Sequence, residues 1–129
     1  MELSQEIKDS LDDKVYVHLG TLMPDGSPHV SVVWVGRDGD KVLFSTADGR
    51  VKPRNLELDP RVALSFTPPD SPFKNIVLRG RVTKTEKDGT WLIDDLAGKY
   101  MGHDSYQYGA PGEIRVNYEI EIDSVSIWK

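Results

Sequence analysis

A chain of 129 residues, 38% of them hydrophobic and without an internal repeat, is long enough for one core and too short for two, so a single domain over 1–129 is expected. Its 16 Lys and Arg against 21 Asp and Glu leave a net charge of −5, which excludes a general nucleic-acid binder, since phosphate-backbone affinity is built from excess cations. The absence of cysteine excludes disulfides, thiol catalysis and thiolate metal sites, and apolar runs of only a few residues exclude a membrane-spanning helix.

The start Met1-Glu2-Leu3-Ser4-Gln5-Glu6 has no basic segment followed by an apolar one, so no signal peptide is expected and a cytoplasmic location fits. Ile7 and Leu11 form one amphipathic stripe and predict a short helix over 4–11. Val15, Val17, Leu19 and Thr21 then alternate with Tyr16, His18, Gly20 and Leu22, a first strand with apolar groups on both faces. Asp25-Gly26 turns it into a second strand over 28–36. There Val30, Val32 and Trp34 share one face, and His29, Ser31, Val33 and Val35 the other. Such a strand must be covered on both sides.

After a turn at Asp38-Gly39, a third strand over 41–44 delivers Ser45 and Thr46 as hydroxyl donors. Asp48-Gly49 turns the chain again, and Arg50, Lys52 and Arg54 alternate at the start of a helix over 51–58. Pro53 fits the first helical position, where its missing N–H costs nothing. Free N–H groups and the positive end of the helix dipole would join these cations in holding a phosphate. The alternative is a solvated turn with a helix-start proline.

A strand over 61–67 turns Val62, Leu64 and Phe66 one way, and the prolines of 68–72 end it. The next strand, over 75–86, is interrupted at Gly80, where the missing side chain predicts a bend, a bulge or a close approach. Ile93, Leu96, Ala97 and Tyr100 have the spacing of a helical face within 88–101, with Gly102 as its stop. In the last strand Ile114, Val116, Tyr118, Ile120 and Ile122 alternate with Glu113, Arg115, Asn117, Glu119 and Glu121. A phase slip after Asp123-Ser124 predicts a bulge or bend.

Six or seven strands with few helices favour a closed antiparallel barrel, which leaves no exposed sheet edge. Val33, Val35 and Ala63 are read as outer apolar positions that, with Trp34 and the Pro-rich loop, need a partner surface, and a homodimer supplies it most simply. A second chain would also help to form a ligand cleft. No catalytic triad or acid/base pair is assigned. His18, His29 and His103 are isolated and none has metal-ligand spacing, so no metal site is expected. Tyr100, Tyr106 and Tyr108 fit two roles, proton donors to a substrate or packing and lid residues.

Five segments carry a resemblance through their order and spacing. They are Leu22-Met23-Pro24-Asp25-Gly26-Ser27-Pro28-His29-Val30, then Val33-Trp34, Phe44-Ser45-Thr46 with Arg50, Lys52 and Arg54-Asn55-Leu56, Asp59-Pro60-Arg61-Val62, and Leu78-Arg79-Gly80-Arg81-Val82. Together, over about 15–125, they resemble the pyridoxamine 5′-phosphate oxidase-like split β-barrel flavoproteins and, more narrowly, the small proteins of that superfamily that use the deazaflavin coenzyme F420. The resemblance implies a mainly-β split antiparallel barrel (the FMN-binding split barrel) with a few short helices. It also implies a homodimer with two cofactor sites, each formed by both chains.

In similar proteins an Arg-x-Lys element grips the cofactor phosphate, which falls here on Arg50 and Lys52, with Ser45 and Thr46 adjoining and Asn55 steadying the element. Val32, Val33 and Trp34 fall on the segment that runs along the tricyclic ring, and Phe73 on a loop that approaches the ring from the partner chain. Trp34 equally suits a role in the dimer core. The implied function is an F420-dependent reductase that transfers a hydride between deazaflavin and an unsaturated or conjugated small molecule. The chain lacks the extra C-terminal segment of pyridoxine-oxidising relatives, which argues against vitamin B6 oxidation. The grip is shared in outline with FMN-binding members, so an FMN-binding oxidoreductase and a non-enzymatic cofactor-binding protein stand as alternatives.

Overall fold

In the computed structural model, which describes residues 1–128, Ser4 caps α1 (Gln5–Asp12) by accepting the Ile7 N–H at 3.3 Å. Ile7 and Leu11 are buried, so the stripe read from the sequence is the face on the core. Next come β1 (Val17–Leu22) and β2 (Pro28–Val33), a hairpin closed by the Asp25-Gly26 turn, then β3 (Gly36–Asp38) and β4 (Lys41–Ala47), a second hairpin. The remaining elements are α2 (Val51–Leu58), β5 (Arg61–Phe66), β6 (Asn75–Lys87), α3 (Trp91–Met101) and β7 (Arg115–Trp128). Gly102, at φ 72°, ends α3 with the His103 N–H donating to Ala97 O, the bond that a left-handed cap makes possible. No described helix is long and apolar enough to cross a membrane.

The strands form one antiparallel sheet of order β2-β1-β5-β6-β7-β4-β3. Its end strands, β2 and β3, are not paired to each other, so the barrel is split rather than closed as strand number alone suggested. Gly80 makes the bend in the long β6–β7 pair possible. A Cβ there would lie 2.0 Å from the Glu121 carbonyl oxygen, and opposite it β7 carries Asp123 as an extra residue. That extra residue is the phase slip visible in the sequence. Within the barrel Val17, Leu19, Val42, Phe44, Leu64, Leu78, Ile120 and Ile122 are buried, and the rings of Phe44 and Tyr118 stack 4.9 Å apart. Outside it, Leu92, Leu96 and Tyr100 of α3 form a second cluster with Trp34 and Leu43. The polar face of β4 and β7 is thereby roofed by a helix.

Two expectations need correction. The strand expected over 28–36 stops at Val33, and Val33 and Val35 point inward, both buried. The exposed apolar residues of β2 are instead Val30 and Val32, at 63% and 54%. Alternation separates two faces but does not say which is inside, and here α3 draws Val35 in, its N–H donating to the Tyr100 hydroxyl at 3.1 Å. Ala63 is exposed as expected. Pro53 occupies the third position of α2, not the first. The third N–H of a helix also has no intrahelical acceptor, so proline is tolerated there too.

Candidate functional site

A cleft of about 160 Å³ opens where β2, β4, α2, α3 and β7 meet. Val32, Val33 and Trp34 form one wall, Ser45 and Thr46 the end of β4, and Arg50 and Lys52 the entry to α2. Ile93 and Leu96 of α3, Tyr106 of the following loop and Arg115 of β7 complete the lining.

The polar end has unmet bonding capacity. Ser45 Oγ and Thr46 Oγ1 are buried and have no hydrogen-bond partner, a costly state that an oxygen-rich ligand would relieve. Lys52 Nζ donates to Ser31 Oγ at 3.1 Å, and burial, with Arg50 nearby, pushes its ammonium below the ordinary lysine value. No acidic side chain occupies the first turn of α2 and no side chain caps it, which leaves its N–H groups and dipole free to act on an anion. A hydroxyl pair, a desolvated cation, an arginine and a helix start therefore fit a phosphate.

Asn55 lies behind this end at 1% exposure, with Nδ2 donating to Thr21 Oγ1 at 2.9 Å. It ties α2 to β1 and does not line the cleft. Arg54 is exposed and does not line the cleft. Phe73 is 91% exposed in the β5–β6 loop and is not among the residues lining this chain's cleft. The Trp34 indole stacks on Tyr100 at 5.1 Å, nearly parallel, and meets the Tyr106 ring edge-on at 6.1 Å.

Of the three tyrosines considered as proton donors, only Tyr106 lines the cleft. Tyr100 is a packing residue whose hydroxyl donates to Val15 O at 2.7 Å, and burial raises its pKa. Tyr108 is exposed, and none of the three histidines lines the cleft.

Sequence reasoning missed Arg115. In the sequence it appears only as one of the polar residues alternating along the last strand, yet it is 5% exposed, donates through Nε to Glu113 Oε2 at 3.0 Å, and lies 4.7 Å from the Tyr106 ring centroid. The register of β4 on β7 puts Ala47 opposite Arg115 and Ser45 opposite Asn117, which brings Arg115 to the Ser45 face of the sheet. A signal existed in the amphipathic 88–101 segment, which needs a surface to cover, but nothing local identifies that surface as β4 and β7.

Comparison with solved structures places the chain among split barrels. It is similar to a protein described as F420 reductase, with 29% identity, TM-score 0.82, and coverage of 96% of this chain and 98% of that one. Rv2991 from Mycobacterium tuberculosis is 20% identical at TM-score 0.73, covering 98% and 85%. HutZ, the heme storage protein from Vibrio cholerae, is 18% identical at TM-score 0.66, covering 98% and 95%. The last two likenesses show the fold alone. No curated protein sequence matches the chain. Residues 3–129 match the family model described as pyridoxamine 5′-phosphate oxidase, and over that length, with the split antiparallel sheet above, the chain belongs to this family.

Proposed function

We propose that this protein is an F420-dependent reductase of an unsaturated or conjugated small molecule, acting as a cytoplasmic homodimer of single-domain chains. The observation that carries the reading is the juxtaposition in one cleft of a phosphate-fitting end, Ser45, Thr46, Arg50 and Lys52, with a largely apolar wall, Val32, Val33 and Trp34. The similarity to a protein described as F420 reductase, which extends over 96% of this chain, supports it.

When bound, the deazaflavin supplies a hydride to the substrate. Lys52 and Arg50 hold the phosphate by charge and Ser45 and Thr46 by their hydroxyls. Val32, Val33 and Trp34 line the flat ring and keep water from it, which is most of what a hydride-transfer site asks of its protein. Asn55 holds the phosphate end in place through Thr21.

The cleft is smaller than the roughly 300–1,000 Å³ of a typical ligand pocket. A second chain would complete it. Val30 and Ala63 both pair with Gly20 and, with Val32, leave an apolar outer face on β2-β1-β5. Val32 belongs to this face and to the cleft, so a partner seated here reaches the cofactor, and Phe73 of that partner is the aromatic residue assigned to the ring.

The phosphate end suits FMN equally, since phosphate is what its cations and hydroxyls recognise, and an FMN-binding oxidoreductase is the second reading. A cofactor-binding protein without turnover is the third. Fluorescence titration of the cofactor-free protein with F420 and, separately, FMN tests these. Saturable binding of F420 in preference to FMN is expected. Preference for FMN overturns the deazaflavin assignment, and binding of neither removes F420 and FMN from all three readings.

A further inference from the structure

Glu113 holds two of the cleft's three cations at once. Its Oε1 accepts from Arg50 Nη2 at 3.2 Å and its Oε2 from Arg115 Nε at 3.0 Å. The settings differ. The Glu113 and Arg115 side chains are almost fully buried, whereas that of Arg50 is 55% exposed. Breaking a buried pair strands a charge and is costly, while an exposed limb of the same carboxylate is held weakly. Of the two cations paired with Glu113, Arg50 is therefore the one that an entering anion can take.

Glu113 also ends the loop that carries Tyr106 into the cleft. Tyr106 lies under the Arg115 guanidinium, its N–H donates to Asp94 Oδ1 at 2.9 Å, and the Glu113 N–H donates to Ala110 O at 3.0 Å. Gly109 passes so close that a Cβ there would stand 3.0 Å from Glu113 Oε2.

We propose that Glu113 is an internal counter-anion of the cleft, occupying Arg50 in the free protein and yielding it to a ligand phosphate while remaining on Arg115. The inference deepens the function proposed above and rests on its assignment of Arg50 and Lys52 as the anion grip. Two effects follow. Glu113 competes with the ligand and holds its affinity below what the cations alone would reach. Binding also removes one tether from the 106–113 segment, so the loop loosens as the site fills.

The test uses inorganic pyrophosphate as the probe and the full chain. By calorimetry, Glu113→Gln, which keeps an amide oxygen for Arg115 but removes the charge, is expected to bind pyrophosphate about three- to tenfold tighter than the parent protein. Equal or weaker binding, or binding by neither, overturns the proposal. Because the variant weakens a buried partner of Arg115 and risks misfolding, amide hydrogen exchange on the parent protein provides a second reading. Pyrophosphate is expected to slow exchange over 45–52 and to speed it over 106–113. Slowing or no change over 106–113 overturns the proposal. Neither measurement involves F420, so a protein that shows both effects without binding F420 or FMN would lose the cofactor assignment and keep the role of Glu113.

Discussion

Lys52 Nζ donates to Ser31 Oγ at 3.1 Å, a bond that joins the first turn of α2 to the middle of β2 at the mouth of the cleft. A hydroxyl neutralises no charge, and among the described residues no carboxylate offsets the Lys52 ammonium, whose pKa burial lowers. The protein thus keeps a desolvated cation without a counter-ion, an arrangement better suited to binding than to stability.

Removing that cation separates the two roles. Lys52→Ala is expected to weaken F420 binding by roughly 10- to 100-fold, the loss of a charge-assisted hydrogen bond of about 1.5–3 kcal/mol. The melting temperature should stay nearly constant, because no ion pair is broken. Titration and thermal unfolding check both halves, and unchanged affinity would remove Lys52 from the phosphate grip.

The dimer assignment is tested on β2. Val30 is 63% exposed, so Val30→Glu costs an isolated chain little. In a homodimer that buries this face the same change places a carboxylate in an apolar interface. Sedimentation is expected to show a monomer with weakened cofactor binding. A dimer that survives the substitution would move the interface elsewhere.

Gly80 is the tightest point of the fold. Gly80→Ala drives a methyl group into the Glu121 carbonyl, a main-chain atom that cannot rotate aside. A loss of about 2–3 kcal/mol is expected in denaturant unfolding, within the range for overpacking a close-packed site. A loss below about 0.5 kcal/mol would mean that the β6–β7 pair can shift freely at its bulge.

Alkaline stability follows from Tyr118, whose pKa burial raises from 10 to about 12. The folded state then holds a proton that the unfolded chain has released. Tyr118 contributes in full below pH 10, and the contribution is lost as pH rises from 10 through about 12. Unfolding free energy should fall across that window, and Tyr118→Phe should flatten the slope. Tyr100, also raised by burial, should keep a residual one. An unchanged slope in Tyr118→Phe would contradict the sign.

What the sequence disclosed was local or periodic. Ser45, Thr46, Arg50 and Lys52 stand within eight positions of one another, and all four meet in the cleft because a strand end, a turn and a helix start need no distant partner to place them. Gly80 and the slip at Asp123 were legible for a similar reason, since each breaks a period-2 pattern. Arg115 was not, because its position depends on the β4–β7 register, and Tyr106 could not be told apart from Tyr100 and Tyr108, because its place depends on the loop after α3. The inward turn of Val33 and Val35 was misread because alternation is symmetric between faces. The split of the barrel was legible through the resemblance alone, since strand number does not reveal that β2 and β3 remain unpaired.

The most direct measurement is a crystal structure of the protein with F420 bound. The account predicts the phosphate within hydrogen-bond distance of Lys52 and of the Ser45 or Thr46 hydroxyl, the deazaflavin ring along Val32, Val33 and Trp34, and a second chain closing the site. A coenzyme bound away from Lys52, or one seated wholly within a single chain, would contradict it.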